Sequence, residues 1–183
     1  MTAIGIAIGV GWIVFWLYWL TVAIGAKQST GHRRRLPPGV RIIALVIVAA
    51  ELLKGRSLKA HSDTDLAVAI VGAIVFASGL GLAVWARIHL GRNWGMPMSQ
   101  KQEPELVTDG PYRFVRHPIY TGILLALLGT ALATNLYWLL ACIVVGAYFV
   151  YSARVEERNL MRTFPRQYPI YRARTKMLIP FVL

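Results

Sequence analysis

The sequence predicts an all-α integral membrane protein with five transmembrane helices, the last two forming a tight helical hairpin. Three observations carry this expectation. The 183 residues are 56% hydrophobic and only 15% charged, where a soluble domain is about a quarter charged. Mean hydropathy is +0.53, and the apolar residues come in blocks rather than amphipathic stripes. The 20 Lys and Arg outnumber the 8 Asp and Glu, for a net charge of +12, and the polar residues fall mainly between the blocks. A basic balance also suits nucleic acid, but a soluble nucleic-acid module would not carry such blocks, so no nucleic-acid partner is expected.

A spanning helix needs about 20 mainly apolar residues. Residues 3–26 meet this, with Trp12, Trp16, Tyr18 and Trp19 as aromatic anchors. This first run has no basic leader and outlasts a signal-peptide core, so it is expected to be retained as a span. "KQSTGHRRRLPPG" (27–39) is a basic Pro/Gly linker whose "HRRR" sets topology and meets anionic lipid. Residues 40–53 form a short second run, ending at "KGRSLK", and 66–90 a long third. A polar stretch, 91–118, leads to runs at 119–133 and 136–152, both short, with only Thr134 and Asn135 between them. In the tail, "SARVEERNLMRTF" (152–164) spaces Val155, Leu160 and Phe164 near helical period, so it prolongs the fifth helix or lies on the interface, until Pro165 and Pro169 break it. The chain then divides into a two-helix region, 1–65, and a core, 66–183.

Charge tests this count. Lys and Arg number five in 27–41, three in 54–59, five in 87–116, none in the hairpin turn and seven in the tail. With the N-terminus outside, the heavy groups fall in the cytoplasm and the light ones outside, as the positive-inside rule requires. The expected product is a multi-pass protein of the plasma or inner membrane with a cytoplasmic C-terminus. Cys142, the single cysteine, excludes an intrachain disulfide framework and any multi-cysteine metal site. "GIAIGVG" (5–11) spaces small residues for close helix packing. A nucleotide-binding glycine loop would need a βαβ unit, which this context forbids.

Two stretches resist a purely structural explanation. Arg113 and Arg116 suit juxtamembrane anchors and Tyr112 and Tyr120 an aromatic belt, but that leaves His117-Pro118 unexplained. Glu156 and Glu157 are adjacent acids in a strongly basic tail; they either pair with Arg154, Arg158 or Arg162 at helical spacing or do something more. "LVTDGPYRFVRHPIYTG" (106–122), followed after the hairpin by "RVEERNL" (154–160) and then Phe164, Tyr168 and Tyr171, resembles the isoprenylcysteine carboxyl methyltransferases, membrane enzymes related to phospholipid methyltransferases. The similarity spans roughly residues 80–180 and includes "LGRNW" (90–94).

The resemblance implies S-adenosylmethionine as cofactor, bound at the cytoplasmic side in a pocket formed by the 91–118 segment and the C-terminal tail. Carried over by position, Gln100, Glu105, Leu106, Val107, Tyr112, His117, Pro118, Ile119 and Tyr120 line it, and Glu156 closes it. Arg154, and after it Arg87, face the substrate. The chemistry agrees: a sulfonium suits aromatic faces and carboxylates, ribose hydroxyls need acceptors, and the amino-acid carboxylate needs donors. Two departures, Pro165 after Phe164 where relatives usually have Gly and "TKMLIP" in place of a more basic ending, leave the roles of Tyr168 and Tyr171 open.

The implied function is methyl transfer to a lipid-like acceptor entering from the bilayer. A carboxylate acceptor needs no base but needs a cation to hold it, for which Arg is suited. A phenolic or amino lipid would instead need proton removal, for which Glu157 or His117 could serve. An NADPH-dependent sterol-type reductase shares a related R-H-x-x-Y element but is longer. A non-enzymatic lipid-binding protein would have no reason to keep His117, Tyr120, Arg154 and Glu156 together.

Overall fold

The computed structural model describes residues 3–23, 65–91 and 105–179. In chain order these form α1 (Ala3–Ala23), α2 (Leu66–Leu90), a short 3-10 turn (Gly110–Arg113), α3 (Pro118–Ala133), α4 (Trp138–Thr163) and α5 (Gln167–Arg174). Among the described residues there is no strand, only an isolated parallel bridge between Val115 and Lys176.

α1, α2 and α4 are long and apolar enough to cross a membrane. Their outward side chains are apolar as well: Leu17, Leu20, Ile74 and Ile143 are all more than half exposed. A bundle whose exterior is as oily as its core is made for lipid, where packing and hydrogen bonds replace the hydrophobic drive between helices. Of the five expected spans, three among the described residues are long and apolar enough to cross a membrane. α3 has 16 residues and is about 24 Å long, short of a hydrocarbon core of about 30 Å. The second run, 40–53, lies outside the described residues. α4 is not short, because its 26 residues continue through the polar "SARVEERNLMRT" segment without a break.

Local chemistry explains the boundaries. The Asp65 carboxylate accepts from Ala67 N–H at 3.0 Å and caps α2, and Gly91 ends it with φ +50. Pro118 opens α3 in the first turn, where a missing N–H costs nothing. In the hairpin turn the Asn135 side chain accepts from Tyr137 N–H at 2.8 Å. Pro165 does break the tail helix, since α4 ends at Thr163 and α5 starts at Gln167. Pro169 does not, because it sits in the first turn of α5.

The tightest packing joins α2 to α3. Gly72 and Gly79 on α2 face Gly122 and Gly129 on α3, each pair two turns apart. A Cβ at Gly72 would stand 2.5 Å from Ala133 N, one at Gly79 2.5 Å from Ala126 N, and one at Gly122 2.6 Å from the Gly79 carbonyl. The backbones themselves are in contact. In "GIAIGVG", by contrast, Gly9 meets nothing within 4 Å, and a Cβ at Gly11 would meet side chains of α2, the Phe76 ring at 2.8 Å and Leu80 Cδ1 at 3.9 Å. Close packing of the first helix thus runs through Gly11 against α2 side chains, whereas α2 and α3 meet backbone to backbone.

α1 packs beside this pair through Trp12, whose indole N–H donates to Thr130 Oγ1 at 3.1 Å and whose ring meets Phe76 edge-on at 5.6 Å. Gly11 lies by Phe76, and Val22 O lies 3.2 Å from Arg87 Nη2. α1 and α2 therefore run parallel, and Ala23 and Asp65, the ends joined by residues 24–64, sit at opposite ends of the bundle. α4 closes on α3 through Leu127, Ala131, Trp138, Ala141, Val145 and Phe149.

Candidate active site

The chemistry gathers at one end of the bundle, where α2 ends, α3 starts and the polar half of α4 projects. Gly110 makes the turn into the motif with φ +52, a conformation that favours glycine. From there Tyr112 tucks back against α2, its hydroxyl donating to Ala86 O at 3.4 Å. His117 occupies the N-cap position of α3 and stacks on Tyr120 (5.4 Å, 5°), which stacks on Phe149 of α4 (4.2 Å, 8°).

The adjacent acids of α4 grip this stack from two sides. Glu156 Oε1 accepts from Tyr120 Oη at 2.5 Å and from Ser152 Oγ at 3.1 Å. Its other oxygen lies 3.5 Å from His117 Nδ1. Glu157 Oε1 accepts from Arg116 Nε at 2.7 Å and lies 3.5 Å from His117 Nε2. Arg172 of α5 approaches Glu157 Oε2 at 3.5 Å. Arg116 and Glu157 are 8% and 6% exposed, so this is a buried pair whose remaining donors and acceptors must also be met.

The tail meets them. Arg116 Nη1 donates to the carbonyls of Arg172 and Thr175. Backbone bonds run from Arg116 N–H to Lys176 O (2.8 Å) and from His117 N–H to Met177 O (3.1 Å). Thr121 Oγ1 donates to Leu178 O at 2.6 Å, and Tyr171 Oη to Tyr112 O at 2.7 Å. Residues 171–178 thus form a strap laid along 112–121, with Arg116 as its clasp.

The electrostatics follow from this burial. For His117, burial opposes the charged ring, but the pull of Glu156 and then Glu157 outweighs it and holds the pKa above its ordinary value. Burial pushes the Tyr112, Tyr168 and Tyr171 hydroxyls above the usual tyrosine range, so they stay neutral. Among the described residues three buried polar atoms here make no hydrogen bond: the hydroxyls of Tyr148 and Tyr168, and His117 Nε2, which has only its ion-pair contact with Glu157.

Known sequences place this geometry in context. The phospholipid methyltransferase family model matches residues 67–167. Protein-S-isoprenylcysteine O-methyltransferase B of Arabidopsis thaliana is 30% identical over 174 residues, 90% of this chain and 86% of that protein. The chain belongs to the phospholipid methyltransferase family. Methanethiol S-methyltransferase 1 of Bradyrhizobium diazoefficiens is 38% identical over 78 residues, 43% of this chain and 27% of that protein. The cobalt-zinc-cadmium resistance protein CzcN of Cupriavidus metallidurans is 30% identical over 145 residues, 78% of this chain and 62% of that protein.

As a family member, the chain can be compared with its sequence-predicted site. Tyr112, His117, Pro118, Ile119, Tyr120 and Glu156 come together at this end of the bundle. Leu106 and Val107 are half-buried on the approach to the turn and Glu105 is exposed. Gln100 lies outside the described residues, as does most of "LGRNW". Arg87 is buried near the same end, where Nη1 donates to Gly91 O at 2.6 Å and Nη2 to Val22 O. It neutralises the carbonyl ends of two parallel helices. Arg154 is exposed on α4, away from the Glu156 and Glu157 contacts. Tyr168 and Tyr171 do reach the motif despite Pro165; Tyr168 is fully buried. Sequence reasoning gave Arg116 only an anchoring role and missed Ser152 and Arg172. Arg116 next to His117, and Glu157 next to Glu156, were the signals available.

Proposed function

We propose that this membrane methyltransferase-family protein transfers a methyl group from S-adenosylmethionine to a lipid-like acceptor, most simply a carboxylate. The observation that carries the reading is Glu156: a carboxylate held by Tyr120 and Ser152 beside the His117–Tyr120–Phe149 stack, yet 25% exposed at its side chain. A carboxylate at the edge of an aromatic stack suits a sulfonium and its ribose hydroxyls. The residues present therefore fit the cofactor, with His117, Tyr120 and Glu156 holding it. When bound, it would supply an electrophilic methyl group to an acceptor oxygen, with a neutral thioether as leaving group.

The protein's part is to bind, orient and exclude water. An ionised carboxylate needs no base, so the acceptor needs only a cation. Arg154 is exposed and none of the described residues pairs with it, which supports it as the holder, whereas Arg87 already binds two carbonyls. A thiol acceptor is the second reading, favoured by the similarity to a methanethiol S-methyltransferase.

Calorimetric titration of detergent-purified protein with S-adenosylhomocysteine and with NADPH tests the cofactor; binding of NADPH alone would overturn the proposal. Methyl transfer to a prenylcysteine acid, a phenolic lipid, an aminolipid and an alkyl thiol then ranks the acceptors. With the acid, Arg154→Lys should lose most activity because an ammonium lacks the planar fork, while Arg158→Lys keeps it. Equal, wild-type-like rates would mean that another residue holds the acceptor.

A further inference from the structure

Beside the clasp lies a second feature that the methyl-transfer chemistry does not use. A cavity of about 250 Å³ is lined by Arg116, Arg172, Ala173, Arg174, Thr175 and Lys176. It lies below the range of pockets that enclose a drug-sized ligand, roughly 300–1,000 Å³, so it suits a compact group. Four of its six lining residues are cationic. Among the described residues the acid that pairs with this set is Glu157, which is buried behind Arg116 and also contacts His117, so it does not balance the outward charges. Arg172, Arg174 and Lys176 are all exposed. In sequence this cationic set is bracketed by Ile170 and Ile179, 58% and 52% exposed, which suits a surface resting at the headgroup level of a bilayer.

We propose that this cavity is an anion site that takes a phosphate group, with Arg172, Arg174 and Lys176 as its outer donors. Guanidinium forks match phosphate oxygens in pairs, and Lys adds a mobile point charge. The group is supplied either by an anionic lipid headgroup or by a free phosphate. Arg172 gives the site a line to the candidate active site, because the same side chain lies 3.5 Å from Glu157. Occupancy would draw Arg172 outward and leave Glu157 to Arg116 and His117.

The test uses the full chain and reads binding, so its outcome is independent of the methyl-transfer proposal. Two double variants remove equal charge: Arg174→Gln with Lys176→Gln in the cavity wall, and Arg158→Gln with Arg162→Gln on exposed positions of α4. Protein in phosphatidylcholine vesicles containing a minority of spin-labelled phosphatidylglycerol reports headgroup contact, and titration of detergent-purified protein with inorganic phosphate reports the free anion. At about one kcal/mol per basic residue near an anionic surface, the cavity variant should lose roughly tenfold or more in one arm, and the α4 variant clearly less. Loss in the lipid arm alone identifies a headgroup site; loss in the phosphate arm identifies a soluble-anion site. Equal losses in the two variants, or none in either, would overturn the proposal, because general surface charge would then account for any binding. Matching thermal melts confirm that the exposed substitutions leave the fold intact.

Discussion

The α2–α3 seam and the polar end of α4 are both tightly packed, but by opposite means. The seam uses Gly72, Gly79, Gly122 and Gly129 to bring two backbones into contact, with only alanine methyls such as those of Ala83 and Ala133 beside the closest points. The polar end is built almost wholly of side chains, with Arg116, His117, Tyr120, Ser152, Glu156 and Glu157 satisfying one another and the tail carbonyls. The seam is a close-packed scaffold. The polar end can trade partners, since a carboxylate held by hydroxyls and a histidine can exchange them for those of a ligand. Substitutions should therefore fail differently in the two regions: through steric exclusion in the first, through lost polar partners in the second.

The largest effect is expected in the seam. Gly79→Val must push apart two backbones, which should cost about 3 kcal/mol or more and leave little folded protein by melting and size-exclusion in detergent. A wild-type-like melt would mean that the helices do not approach at this point. Next comes the clasp. Glu157→Ala strands the buried Arg116 guanidinium and should destabilise by about 3 kcal/mol, the lower end for breaking a buried pair, because the Arg172 and Thr175 carbonyls still hold Arg116. A change below about 1 kcal/mol in the same melts would show the pair to be solvated.

At the ligand-facing edge the loss should appear in binding. His117→Ala and Glu156→Ala should each weaken S-adenosylhomocysteine about ten- to a hundred-fold by calorimetry, the worth of one charge-assisted hydrogen bond. Unchanged affinity in both would move the cofactor elsewhere. A smaller effect is a pH dependence confined to the polar end. The His117 pKa is raised in the folded protein, so the proton it binds favours the native state. That contribution is complete below the unfolded value of about 6.5 and is lost as pH rises through the higher folded value. The melting temperature should fall over that window in the wild type and less in His117→Asn. The reverse slope would mean a histidine buried neutral. The smallest effect is the seam's own control: a Cβ at Gly81 would meet nothing within 4 Å. Gly81→Ala should leave the fold intact and stabilise it by up to about 1 kcal/mol.

The division between regions also explains what could be read in advance. Apolar runs became helices because a backbone in lipid must satisfy its own hydrogen bonds, and that constraint needs no partner. Tyr112, His117, Tyr120 and Glu156 stand out by their order in the sequence, and the fold gathers them at one end of the bundle. Arg116 reads as an anchor in the sequence, because nothing local distinguishes an arginine facing phosphate headgroups from one clamped between Glu157 and two carbonyls.

By itself, the sequence determined where helices form, where Gly110 and Pro118 shape the motif, and which family the chain resembles, because each depends on local backbone chemistry or on residue order. Only the tertiary structure decided which glycines touch. "GIAIGVG" and the glycines at 72, 79, 122 and 129 offer equivalent small surfaces, and facing one another is a property of two helices together. Likewise only the fold could bring Lys176 to Val115 and Thr175 to Arg116, since that contact joins segments about 60 residues apart. Its register is set by the docking of the tail, a long-range event that no local preference encodes.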